Sequence, residues 1–186
     1  MHINMTLEDL ARQGRHSLHR PMALAVMDRI PDIRKVPIKE CLSGFEHIEH
    51  RLELVTSIHG IEFINDSRAT NVNSCWYALE SINKKIVWIA GGLDKGNDYS
   101  GLKRLVAGKV KALICLGEET SALKNAFADV VQTIRQTRSI EEAVKMAYHF
   151  ARRDEVVLFS PACASFDLFE DYEDRGKQFK KAVKLL

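Results

Sequence analysis

The sequence predicts an α/β protein of Rossmann-like architecture: a mainly parallel sheet of about six strands with helices on both faces and an N-terminal β-hairpin, preceded by a short helical appendage. Three observations predict it. From residue 51 onward, apolar β-rich runs alternate with helix-spaced segments, the rhythm of βαβ units with right-handed crossovers. Three of those runs stop abruptly in polar loops, as strands of an open α/β sheet do where they build a site at their carboxyl ends. A chain of 186 residues that is 46% hydrophobic can also hold one substantial core.

The elements follow in order. From Leu7 to about Phe45 the pattern is helical, but Pro21, Pro31 and Pro37 break it into short pieces. Residues 1–45 therefore read as the appendage and 46–186 as the main domain. Leu52–Ile58 and Ile61–Ile64 alternate around His59-Gly60, a hairpin pattern. Asn71–Ile82 reads as a helix, Ile86–Ala90 as a buried strand, Tyr99–Val106 as a helix, Ala112–Leu116 as a strand, and Ser121–Phe127 as a helix. Val131–Ile134 is a short strand. Ser139 opens a helix to Ala151 with Glu141 and Glu142 in its first turn, and Val156–Phe159 is the last core strand. Tyr172–Leu186 is amphipathic and helical.

Composition excludes several classes. Net charge is +2 with acids and bases interspersed, unlike the basic stripe of a nucleic-acid binder. No apolar run reaches the roughly 18 residues of a membrane span, and the start, Met1-His2-Ile3-Asn4-Met5-Thr6, is not that of a signal peptide, so a cytoplasmic location is expected. Cys41, Cys75, Cys115 and Cys163 are far apart and form no CxxC, which argues against disulfides and zinc and for reduced, mostly buried thiols. The histidines, His47, His50 and His59 among them, have no HExxH or other ligand spacing, so no metal site is expected.

The chemistry-bearing residues sit in the three loops. Asp66, Ser67 and Thr70 stand where a strand gives way to a helix, and two readings are open for them: caps on the free amides of that helix, or groups that meet a nucleotide or another anionic ligand there. Gly91-Gly92-Leu93-Asp94-Lys95-Gly96 has neither GxxxxGK[ST] nor GxGxxG spacing. Its glycines let backbone pass close to a ligand, and Lys95 is either a mobile charge for a carboxylate or phosphate or a solvated side chain on a flexible turn. In Ser160-Pro161-Ala162-Cys163-Ala164-Ser165-Phe166-Asp167 the serines are small donors. Cys163 lacks any nucleophile signature and reads as a packed thiol.

Taken with His50-Arg51-Leu52-Glu53, Asn65-Asp66-Ser67-Arg68-Ala69-Thr70-Asn71 and Glu173-Asp174-Arg175-Gly176, these motifs resemble, in order and spacing, the C-terminal domain of the Mur ligases, and within that family the branch that adds D-glutamate. The resemblance runs from about Phe45 to the end. It implies a share in an ATP-dependent ligase of peptidoglycan precursor synthesis: ATP phosphorylates the carboxylate of UDP-N-acetylmuramoyl-L-alanine, and the amine of D-glutamate attacks the acyl phosphate. It implies that Arg51 and Asp66 face ATP, that Thr70, Lys95 and Ser165 hold D-glutamate, and that Phe166 and Tyr172 wall its pocket. ATP and Mg are the implied cofactors, neither bound tightly by this domain, and no catalytic residue is assigned in it. A whole ligase also carries a phosphate-cradling GK[ST] loop, which is not present in these residues, so the chain is expected to be a C-terminal fragment that is inactive alone. Residues 1–45 resemble the tail of the preceding ATPase domain, with Ser17 and Arg20 where the family has adenine-contacting asparagines, and Arg68 stands where it commonly has Lys. The alternatives are a stand-alone binding module derived from this fold, or another amide ligase of the Mur and folylpolyglutamate superfamily.

Overall fold

Residues 48–186 are described by the computed structural model. The appendage expected over 1–45, with Ser17, Arg20 and Cys41, lies outside them, as does His47. Strand β1 (Glu53–Ile58) turns through His59-Gly60 into β2 (Ile61–Asn65), the two pairing antiparallel. Both turn residues have positive φ, 51° and 81°, the two-residue turn whose twist matches that of paired strands. There follow α1 (Val72–Ser81), β3 (Ile86–Gly91), a 3-10 turn (Ser100–Leu102), α2 (Lys103–Lys109), β4 (Val110–Leu116), α3 (Ser121–Phe127), β5 (Thr133–Thr137), α4 (Ile140–Phe150), β6 (Val156–Ala162) and α5 (Tyr172–Val183). One six-stranded sheet results, in the order β1-β2-β6-β3-β4-β5, and every pair except β1 with β2 is parallel.

Alternation along the strands divides the core in two. Trp88, Leu113 and Leu158 face Cys75, Leu79, Val106 and Phe127 of α1, α2 and α3. Their neighbours Val87, Ile89, Ile114, Val157 and Phe159 face Ala143, Val144 and Ala147 of α4 and Phe179 and Val183 of α5. Phe159 and Phe179 stack with centroids 4.7 Å apart. Trp88, fully buried, donates its indole N–H to the Ser160 carbonyl at 2.8 Å, so its large apolar area is buried without an orphaned donor.

Three boundaries move for local reasons. The strand expected over 131–134 is at 133–137, because Val130 and Val131 close α3 with amide bonds to the Phe127 carbonyl and Val131 packs under the sheet. As an edge strand, β5 keeps Arg135 and Gln136 exposed, which blurs its apolar signal. The helix expected over 99–106 opens as a 3-10 turn and ends at Lys109. Strand β6 outruns its apolar stretch by three residues, and Pro161 is tolerated there because the ladder with β3 shifts register between Ile89 and Gly91.

Candidate functional site

Strand β6 lies between β2 and β3, so the polar loops that follow these three strands emerge side by side at one end of the sheet. Here the last strand is inserted between the second and third, and the site lies at the carboxyl ends of parallel strands, the usual position in an open α/β sheet. A cavity of about 400 Å³ opens there, lined by Thr70, Leu93, Lys95, Asn97, Ala164, Ser165, Phe166, Asp171 and Tyr172. All five residues expected to surround one ligand, Thr70, Lys95, Ser165, Phe166 and Tyr172, are among them. Ser165 is buried, whereas Thr70, Lys95 and Phe166 are exposed.

Local bonds shape each wall. Asp94 accepts the amides of Gly96 and Asn97 through Oδ1, both at 2.9 Å, and its Oδ2 accepts the Tyr99 hydroxyl at 2.9 Å, so the loop that carries Lys95 is a closed turn. Leu93 bridges to Ala164, its amide donating to that carbonyl at 3.0 Å. The close crossing requires Gly92, with φ at 128° and no room for a Cβ against the Ala164 carbonyl. Thr70 and Ser67 do not cap α1: Asn71 does, accepting the Ser74 amide at 2.9 Å. Ser67 is buried and donates to the Tyr172 carbonyl at 2.7 Å, tying the first loop to the start of α5. Arg68 lies 5.8 Å from the centroid of the Tyr172 ring, a cation–π contact on the same wall. Asp171 caps α5, its Oδ1 accepting the Glu173 and Asp174 amides, both at 2.8 Å.

Beneath the cavity sits Arg175, 1% exposed. Its Nε donates to Ser67 Oγ at 3.0 Å, its Nη2 to the Ser67 carbonyl at 2.8 Å and its Nη1 to the Cys163 carbonyl at 3.1 Å, so one guanidinium joins the loops after β2 and β6 to α5. Burial lowers its pKa to about 10, still charged at neutral pH. The sequence showed Arg175 only as part of a motif. Its position on the buried face of α5, four residues after the cap and four before Phe179, was the available signal.

Arg51 and Asp66 stand apart from the residues that line the cavity. Arg51 is exposed, between His50 and Leu52, whose φ values of 64° and 46° lie in the left-handed region. That conformation is held by the Arg68 amide on the His50 carbonyl at 3.0 Å and the Leu52 amide on Asp66 Oδ1 at 3.2 Å. Asp66, 4% exposed, also accepts the Ser160 hydroxyl at 2.7 Å. Asp66 therefore caps nothing on α1 but links β6 to the segment that presents Arg51. Burial raises its pKa from an ordinary 3.8 to about 6, against the opposing pull of the Ser160 and Leu52 bonds and of Arg51.

That shift has a sign. An acid whose folded pKa is raised contributes stability that is fully present below its unfolded pKa, near 4, and lost as pH rises through about 6. At pH 7.5 Asp66→Asn is expected to stabilise the fold by roughly 3 kcal/mol, the cost of the buried charge net of the hydrogen bonds it accepts. Near pH 4 that gain disappears. Urea unfolding at the two pH values checks this, and equal effects at both would refute it.

Cys163 is a packed thiol. It is 2% exposed and 3.2 Å from the Tyr99 hydroxyl, and burial pushes its pKa up. Cys75 and Cys115 are buried and free as well, burial raising the pKa of Cys115 to about 12. Among the described residues no group of three or more His, Cys, Asp or Glu could hold a metal ion, and no helix is long and apolar enough to cross a membrane.

Residues 50–163, from the Arg51 segment into the third loop, match the family model described as Mur ligase, glutamate ligase domain. The chain belongs to the Mur ligase family. Among curated Mur ligases it is 50% identical over 182 residues to the UDP-N-acetylmuramoylalanine–D-glutamate ligase of Christiangramia forsetii, covering 98% of this chain and 41% of that protein. It is 48% identical over 179 residues to the enzyme of the same name from Porphyromonas gingivalis, covering 96% of this chain and 40% of the relative. The chain thus spans about two-fifths of the length of these relatives. The fold is shared with the UDP-N-acetylmuramate-alanine ligase of Thermotoga maritima, with a TM-score of 0.53 at 17% identity, 87% of this chain and 36% of that one being covered. A murein peptide ligase from Psychrobacter arcticus superposes with a TM-score of 0.51 at 15% identity, covering 79% of this chain and 32% of that one.

Proposed function

We propose that this Mur ligase domain holds D-glutamate for an ATP-dependent ligase that joins it to UDP-N-acetylmuramoyl-L-alanine, the whole protein acting in peptidoglycan precursor synthesis. One observation carries the reading: Thr70, Lys95, Ser165, Phe166 and Tyr172, drawn from three loops and the start of α5, line a single cavity. Lys95 supplies a charge for a carboxylate, and the Thr70 and Ser165 hydroxyls supply directional donors. Phe166 and Tyr172 present apolar surface to the methylenes between the charged groups. Arg51, on its pinned segment beside Asp66, is the cation offered to ATP. Each role is positional: the domain delivers the amine to an acyl phosphate formed by the rest of the protein, and its share of catalysis is orientation and charge stabilisation. Mg would accompany ATP; among the described residues no group of three or more His, Cys, Asp or Glu could hold it.

The purified 186-residue chain is expected to bind D-glutamate weakly, with a Kd in the millimolar range or about −4 kcal/mol, because the cavity is half-open. Titration of the ¹⁵N-labelled chain tests this: amide shifts should concentrate at Thr70, Lys95 and Ser165, and D-alanine, which lacks the second carboxylate, should bind more weakly. Equal affinity for the two amino acids, or shifts elsewhere, would remove Lys95 from the ligand.

A further inference from the structure

Outside the lining of the cavity lies a buried titratable side chain that none of the roles above uses: His50, 2% exposed, in the turn that precedes β1. Its neighbours place its proton. Asn65 accepts the Ser67 amide through Oδ1 at 3.2 Å and donates to Glu53 Oε2 through Nδ2 at 3.1 Å, two bonds that both fix the orientation of that side-chain amide. The same Nδ2 lies 2.9 Å from His50 Nδ1. Nδ1 must therefore be the acceptor, and the ring is neutral with its proton on Nε2. Nε2 is buried and has no hydrogen-bond partner among the described residues, although Glu49 Oε1 lies 3.7 Å from it. Glu53 Oε2 lies 3.9 Å from Nδ1. Two carboxylates thus stand just outside hydrogen-bond reach of the two ring nitrogens, and Lys180 of α5 donates to both.

A proton added at Nδ1 would set two donors against each other at 2.9 Å. The ring cannot slide past α5 to escape, because the Gly176 backbone is so close that a Cβ there would fall 2.3 Å from Nδ1. Relief lies toward Glu49 and Glu53. We propose that His50 is a proton-operated latch: neutral, it locks the turn of residues 49–52 onto Asn65 and α5; protonated, it leaves Asn65 for the two glutamates and loosens that turn. The turn is strained, with φ of 64° at His50 and 46° at Leu52. Its other ties are the Arg68 amide on the His50 carbonyl at 3.0 Å, the Arg51 amide on the Ile48 carbonyl at 3.2 Å and the Leu52 amide on Asp66 Oδ1 at 3.2 Å. The charges that act on the ring are Glu49, Glu53 and, from α5, Glu173 and Lys180. Arg51, Arg68 and Asp66 flank the turn, Lys177 acts on Glu49, and Arg175 is committed to Ser67 and Cys163. Burial above all, with Lys180, holds the His50 pKa below its ordinary 6.5 against the pull of the three glutamates. A base shifted this way contributes stability that is present above about 6.5 and lost as pH falls through the lower folded value, the reverse of Asp66.

The test reads ring and turn separately on the 186-residue chain, with no nucleotide or amino acid added, so its outcome is independent of the function proposed above. Imidazole ¹⁵N shifts should show the Nε2–H tautomer near pH 8 and a titration midpoint below 6.5. Hydrogen exchange of the Arg68 and Leu52 amides, corrected for the intrinsic effect of pH, should accelerate at least about tenfold with that same midpoint. Asn tolerates the left-handed turn, offers Asn65 an acceptor and does not titrate, so in His50→Asn the transition should vanish. In Asp66→Asn, which removes the other group that titrates beside the turn, it should remain. An Nδ1–H tautomer near pH 8, a midpoint at or above 6.5, or protection that stays constant while the ring titrates would each overturn the latch. So would a transition that survives His50→Asn and disappears in Asp66→Asn, which would assign it to Asp66. Should His50→Asn fail to fold, the wild-type tautomer and midpoint and the Asp66→Asn profile decide alone.

Discussion

In a full-length ligase carrying this domain, Lys95→Ala is expected to raise the D-glutamate KM about 30- to 100-fold while moving the ATP KM by no more than about threefold. The magnitude is that of one hydrogen bond to a charged group lost from a partly enclosed site, about 2–3 kcal/mol. The asymmetry is the informative part. Lys95 lies on the loop after β3 and lines the cavity, whereas Arg51, just before β1, and Asp66, just after β2, are linked through Leu52 and are not among the described residues that line it. Arg51→Ala and Asp66→Ala should accordingly show the opposite bias, with the ATP KM raised more. Lys95→Arg should recover only part of the loss, since a planar fork replaces a compact ammonium on a turn that Asp94 holds closed. If Lys95→Ala changed both KM values equally, the lysine would act in closing the domain over the nucleotide instead. Steady-state kinetics with each substrate varied in turn decides between these outcomes.

The second large effect is on stability. Arg175→Met is expected to cost about 3–5 kcal/mol of unfolding free energy in the isolated chain, enough to leave a marginal domain largely unfolded at 37 °C. Methionine fills much of the volume but donates nothing, so the buried carbonyls of Ser67 and Cys163 lose their partners and Ser67 Oγ loses the Nε bond. Arg175→Lys should recover little, because one ammonium cannot reach three acceptors on two loops in the guanidinium's fixed geometry. Urea denaturation followed by circular dichroism measures the change. A loss below about 1 kcal/mol for Arg175→Met would mean that the loops after β2 and β6 hold their arrangement on α5 without the clamp, and that the Leu93–Ala164 bridge and the Ser67–Tyr172 bond suffice.

Much of this protein could be read from its residues in order. The hairpin is legible because His59-Gly60 is a two-residue turn between alternating runs, and the helix from Ser139 because a serine cap precedes two glutamates. Both are local interactions, encoded within a few residues. The loops after β2, β3 and β6 stood out for the same reason: small and polar residues interrupt apolar runs. Tertiary structure decided what no local pattern encodes. Strand order put β6 between β2 and β3, and only that neighbourhood turns three loops distant in sequence into one cavity. It also recast single residues. Asp66, a plausible helix cap by position, became a buried link to Ser160 with a raised pKa. Asp171, unremarked in sequence, became both the cap of α5 and the one carboxylate among the described residues that line the cavity. Arg175 became the shared donor beneath all of it. Turns and caps depend on neighbours along the chain, so the sequence alone determined them. Burial, pKa and the sharing of a cavity depend on neighbours in space, and for this chain those are supplied by crossovers that bring residues about a hundred positions apart into hydrogen-bond contact.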